Sequence, residues 1–236
     1  MESAGTRSGS VASAREAVRA DFFRRTYTHL ALAILCFVLV ENLLLGSAMA
    51  PVLVQTMVGG FGWFVVLGAF MGVSWLADRW ARSDTSPQMQ YMGLGLYIVA
   101  QAVIFLPMLY IARHYSSPEV IPTAGVMTLL LFGGLTFTAF TTRADFSFLR
   151  GILTIGSFIA LGIILCSMLF GFSLGLFFSS IMIIFAACSV LYTTSNIIHH
   201  YRGDQHVAAS LALFAGVALM FWYLLQILMS LGGRDD

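Results

Sequence analysis

Long apolar runs alternate with short polar connectors along nearly the whole chain, and the lengths of the runs decide what they are. Residues 27–48, 57–76, 89–111, 120–142, 148–170, 174–198 and 207–231 stay apolar with few charges. At about 1.5 Å per residue, each run crosses a hydrocarbon core of about 30 Å as a helix. Seven spans are predicted. Only Gly171, Phe172 and Ser173 separate the fifth from the sixth, so a tightly turned antiparallel pair is expected there. The sixth and seventh are joined by HHYRGDQH and form a second hairpin, whose last arm carries no charged side chain from Val207 to Leu231.

Composition agrees with a polytopic membrane protein. The chain has 236 residues, 59% hydrophobic and 10% charged, with a mean hydropathy of +0.88, against roughly 25% charged residues in soluble domains. Residues 1–21, rich in Ser, Ala and Arg, show no apolar segment ahead of a cleavage site and predict a flexible cytoplasmic tail. Residues 22–232 form the membrane domain, and 233–236 a short extracytoplasmic tail. A net charge of +1 argues against nucleic-acid binding, which needs a concentrated basic footprint. Cys36, Cys166 and Cys188 lie within apolar runs with no metal or redox spacing, and are expected to be small core residues.

All the basic residues are arginine, and they are unevenly spread. Arg7, Arg15, Arg19, Arg24, Arg25, Arg79, Arg82, Arg143, Arg150 and Arg202 fall at one side of the alternating spans, against Arg113 and Arg234 at the other. Basic residues near span ends resist translocation. The N-terminus is therefore expected inside and the C-terminus outside, with a bacterial inner membrane as the natural location.

Few polar groups inside the spans could carry chemistry. Glu41 is the acid within a span, and intramembrane acids are functional candidates by default. It lies about 24 Å along the helix from Arg25, near the outer interface, so it is either an interfacial or cavity-facing acid or part of an ion path. Gln101, Tyr97, His29 and Asn196 are the polar company available for a relay. Thr193, Thr194, Ser195 and Asn196 bring hydroxyls and an amide to the end of the sixth span, and Gly216 leaves a gap in the seventh. The stretch FTTRADFSFLRG between the fourth and fifth spans is the densest polar loop. Asp145 is expected to cap the fifth span, with Arg143 and Arg150 as topology anchors or a partner-docking motif.

Other chemistries fit poorly. His199, His200 and His206 with Asp204 match no zinc signature, and a solvated loop is expected. Ser195 and His199 stand one helical turn apart, but no nucleophile elbow accompanies them, and no catalytic activity or cofactor is predicted. Gly68 with Gly72, Gly93 with Gly95, and Gly133 with Gly134 are expected to bring helices together, and Pro107 to bend the third span.

Three stretches carry a family resemblance. TYTHLALAILCF, LTFTAFTTRADFSFLRGIL and LYTTSNIIH followed by a terminal apolar helix resemble the transmembrane Bax inhibitor motif family, and TTRADFSFLRG with TSNIIH is most similar to its bacterial YccA branch. The resemblance implies an all-α bundle of seven helices with six around a central one, and no enzymatic activity. Members of the YetJ branch carry two aspartates that share a proton and gate a pH-sensitive calcium leak. Thr193 and Gly216 stand at the matching positions, and neither can ionise. The YccA branch implies instead a modulator, or competing substrate, of the FtsH membrane protease with its HflK and HflC regulators, acting by protein contact. A calcium or proton leak using Glu41, Gln101, Thr193, Asn196 and Gly216 is the alternative.

Overall fold

The computed structural model describes residues 11–59, 61–83 and 86–232. Within them the chain is all helical: α1 (Val11–Leu45), α2 (Ala50–Val58), α3 (Gly62–Ala81), α4 (Pro87–Tyr115), α5 (Val120–Thr142), α6 (Leu149–Phe170), α7 (Gly175–His199) and α8 (His206–Gly232). Seven of these, all but α2, are long and apolar enough to cross a membrane.

Two boundaries differ from those expected. The second span was expected from residue 57. The segment divides instead into the short α2, begun by Pro51 in its first turn, and a spanning helix that starts at Gly62. Glycine permits the break, since a Cβ at Gly62 would run into the carbonyl of Thr56. The other difference is at the start. Residues 11–21, expected as tail, form the opening turns of α1, while residues 1–10 and 233–236 of the two expected tails lie outside the described residues. Ala, Glu and Arg are good helix formers, and Asp21 anchors the turn by pairing with Arg24 and, at 2.7 Å, with Arg25.

α8 is the middle of the bundle. It packs along α7 and touches α1, α3, α4 and α5. Its small residues Ala208, Ala209 and Ser210 are fully buried beside Leu213, Phe214 and Met220. The Ser210 hydroxyl lies 2.8 Å from the Thr26 carbonyl and ties α8 to α1. One face of α1, running through Thr26, Leu30, Ala33, Phe37 and Glu41, turns inward, and Phe37 meets Phe105 of α4 and Phe214 of α8 edge-on.

Glycine spacing misleads about which helices meet closely. Gly68, Gly72, Gly95, Gly133 and Gly134 have nothing within 4 Å of where a Cβ would stand, so they join no helices. Gly93 does: a Cβ there would lie 2.6 Å from both the Ala77 carbonyl and the Ala81 nitrogen, so α4 and α3 touch backbone to backbone. The packing face of α3 is set by its alanines. Similarly, Cys36 and Cys166 are exposed on the outside of the bundle rather than in its core. α4 passes through Pro107 as one helix, and the expected tight turn joins α6 to α7 with Gly171 and Gly175 at positive φ.

Candidate functional site

The faces of α7 and α8 that look toward each other line two chambers, one above the other. Ser189 of α7 and Gly216, Leu219 and Trp222 of α8 border the first, which has a volume of about 540 Å³. Tyr97, Gln101 and Phe105 of α4, Trp63 and Phe70 of α3, and Ser157 and Ser167 of α6 complete it. Among the described residues no charged side chain lines it. The second, about 460 Å³, opens at the arginine-rich end and is bordered by Tyr192, Thr193, Asn196 and His200 of α7 with Arg82, Ser147, Arg150 and Tyr201. Ala212 borders both.

The predicted polar residues are thus sorted between two places. Gln101 and Gly216 belong to the apolar chamber, and Thr193, Asn196 and Arg150 to the arginine-end vestibule. The gap expected at Gly216 is partly closed, because a methyl of Val190 stands 3.0 Å from where its Cβ would be. Glu41 borders neither chamber. It is 4% exposed, enclosed between α1 and its neighbours, and among the described residues neither carboxylate oxygen has a partner. An unpaired acid held off water is costly in its charged form. Of its proposed relay company, His29 sits about three turns earlier on α1, bonded to the Arg25 carbonyl and 3.1 Å from the Tyr91 hydroxyl.

The vestibule wall is held by residues already named from the sequence, one of them in a different role. Ser195 lies one helical face away from Thr193 and points at the loop between α5 and α6. Its hydroxyl accepts from the Phe146 N–H at 3.0 Å and donates to the Ala144 carbonyl at 3.3 Å. The oxygen considered as a nucleophile is therefore a clamp. Arg143, at the end of α5, adopts the left-handed conformation with φ 51°, uncommon for a residue with a side chain, and so turns the chain into this loop. Asp145 accepts from the Ser147 N–H at 2.9 Å, in the turn before α6 rather than at its cap position, which Phe148 occupies. That N–H holds the Asp145 carboxyl below its usual range.

Across the vestibule, Arg82 is fixed by Asp78 at 2.9 Å and lies over the Tyr201 ring. The Asp78 carboxylate keeps its guanidinium more firmly protonated, and burial pushes the Tyr201 phenol up. His206 turns away toward α1, with its ring 5.0 Å from that of His29, whereas His199 and His200 are exposed. The four groups of HHYRGDQH that suggested a metal do not converge.

Seven spans with the last of them central, and a polar turn of α7 facing a clamped α5–α6 loop, are the arrangement to set beside known proteins. The family described as "Inhibitor of apoptosis-promoting Bax1" matches residues 19–233. This chain belongs to the Bax inhibitor-1 family. An uncharacterized protein of Pseudomonas aeruginosa is 35% identical over 179 residues, covering 73% of this chain and 76% of that protein. An uncharacterized protein of Neisseria meningitidis is 27% identical over 176 residues, 74% of this chain and 75% of its own length. Bax inhibitor 1 of Schizosaccharomyces pombe is 26% identical over 179 residues, 74% of this chain and 64% of that protein. As a member of the family, the chain is a multi-pass membrane protein.

Proposed function

We propose that this family member is a non-enzymatic inner-membrane protein that modulates the FtsH protease, together with HflK and HflC, through contacts at its arginine-rich end. The observation that carries the reading is the α5–α6 loop. Arg143, Asp145 and Arg150 are all exposed, yet the Ser195 clamp and the Asp145 turn hold their backbone in place. A charged surface that is already ordered binds a partner without the cost of ordering it. The arginine bias assigns this end to the cytoplasm, with the C-terminus periplasmic. FtsH as the partner rests on the resemblance of TTRADFSFLRG and TSNIIH to the YccA branch. Thr193 and Gly216, neutral where the leak-forming branch has aspartates, also favour contact over conduction.

Co-purification from membranes tests this. Arg143→Glu combined with Arg150→Glu should lower recovery of FtsH several-fold, because reversed charges at an interface cost affinity. Deletion of residues 2–10 separates a contribution of the terminal segment from that of the loop. Full recovery with the reversed charges removes the loop from the contact.

A second reading, a calcium or proton leak, draws on the two chambers meeting at Ala212 and on the buried Glu41. In vesicles, it requires flux that varies with pH and falls with Glu41→Gln. No flux from the reconstituted protein would dismiss it.

A further inference from the structure

The apolar chamber holds an amide oxygen with nothing to bond. Gln101 is 6% exposed and borders the chamber, and among the described residues its Oε1 has no partner. A buried amide oxygen without a hydrogen bond costs free energy that a bound donor would recover. The surroundings say what such a group is attached to. Phe105, Trp222 and Trp63 form an aromatic wall, with Phe105 edge-on to Trp222 at 4.9 Å and Trp63 stacked on it at 6.4 Å. Ser157, Ser167 and Ser189 add small neutral dipoles, and among the described residues no lining group is charged. The chamber follows α8 from Ala212 to Gln226, about 21 Å at about 1.5 Å per residue, longer than the about 15 Å of a single hydrocarbon leaflet. It also has a side entrance. α6 leans on α7, and among the described residues no extended packing joins it to α3 or α4, which leaves an interval between α3 and α6.

A deep, uncharged, leaflet-length slot with one unsatisfied amide oxygen selects against a charged head and for a long apolar body. Bilayer phospholipids fail on the head group, which would have to leave the interface to reach Gln101. We infer that this chamber binds an uncharged single-chain amphiphile with a hydroxyl head, a long-chain or isoprenoid alcohol, which enters between α3 and α6 and bonds Gln101. A hydroxyl suits the amide because it both donates and accepts. The volume is within the range of small-molecule sites, about 300–1,000 Å³. This inference is independent of the protease contact, since none of the loop residues 143–148 borders the chamber.

Trp222 supplies the reporter. In a Trp63→Phe, Trp75→Phe, Trp80→Phe variant, Trp222 is the remaining tryptophan. Bromine quenches indole fluorescence on contact, so dibrominated octadecanol added to vesicles should quench it saturably. Gln101→Leu should weaken the apparent affinity about fivefold, the equivalent of one net hydrogen bond, and Ala215→Phe should abolish saturation by filling the slot. In parallel, unmodified octadecanol should raise the Tm of the unsubstituted protein in detergent, as any ligand of the folded state does, and should not raise that of Ala215→Phe. That arm needs no tryptophan variant to fold. Quenching that grows linearly with alcohol and no Tm rise would overturn the site. Equal saturable quenching by dibrominated phosphatidylcholine would overturn the proposed occupant, because a bilayer lipid tail would then fill the slot.

Discussion

The two chambers share a pair of helices and differ in their polarity. Both are bordered by the same stripe of α7 and by Ala212 of α8, and their volumes are similar, about 540 and 460 Å³. What α7 and α8 meet across the gap makes the difference. Toward the arginine-poor end they face α3, α4 and α6 inside the membrane, and the chamber is aromatic and uncharged. Toward the other end they face the α5–α6 loop and the end of α3, and the chamber gains Arg82, Arg150 and hydroxyls. One helix pair can thus present two environments. The neutral residues Thr193 and Gly216 fall on opposite sides of that division.

The comparison breaks most completely if α3, which borders both chambers, is forced off α4. Gly93→Val places a branched side chain where backbone atoms of Ala77 and Ala81 already stand 2.6 Å from a Cβ. A loss of about 1–3 kcal/mol, or more, is expected from overpacking a rigid contact. Thermal melting in detergent measures it, and Gly68→Val serves as the control, with little change expected because no neighbour lies within 4 Å. Equal losses in the two variants would mean that α3 does not pack on α4 as described.

A sharper cut separates the chambers. Ser195→Ala removes the acceptor for the Phe146 N–H and the donor to the Ala144 carbonyl. The expected cost is about 1–2 kcal/mol. Backbone amide exchange should rise across residues 143–148, while Trp222 fluorescence in the other chamber is unchanged. Exchange that spreads into the membrane half of α8 would show that the two chambers are not independent.

The smallest effect belongs to Asp145. Its carboxyl is held below the ordinary value of 3.8 by the Ser147 N–H, so it favours the folded state above that value and loses its contribution as pH falls through the lower folded pKa. Asp145→Ala should therefore melt slightly below the unsubstituted protein near neutrality and converge with it in acid. A gap that persists in acid would assign the effect to something other than the charged carboxylate.

Much of the architecture was readable from the residues. Span length and the connectors predicted seven crossings, the α6–α7 turn and the long α7–α8 hairpin, because an apolar run of sufficient length in lipid has one stable form, the helix that satisfies its own backbone. Asp145 and the arginines were found by their rarity. Rarity did not distinguish the polar groups that build the site from their neighbours: Ser195 lies beside Thr193 and Thr194 in sequence, and only its rotation about α7 makes it the clamp.

What stayed out of reach was direction. In water, a buried face is apolar and an exposed one polar, so periodicity tells them apart. In a bilayer both are apolar, and association rests on shape and fit rather than on a difference in hydrophobicity. That is why Gly68 and Gly72 looked as much like a helix contact as Gly93, which is one, why Cys36 and Cys166 face outward, and why Glu41 is enclosed by protein at a depth that suggested an interface. Composition and run length set how many helices cross and where they turn. The division of α7 and α8 between an aromatic slot and an arginine-lined vestibule arises only when α3, α4, α6 and the α5–α6 loop come to rest against them, since contacts between distant segments leave no periodic trace in a chain whose lipid is as apolar as its core.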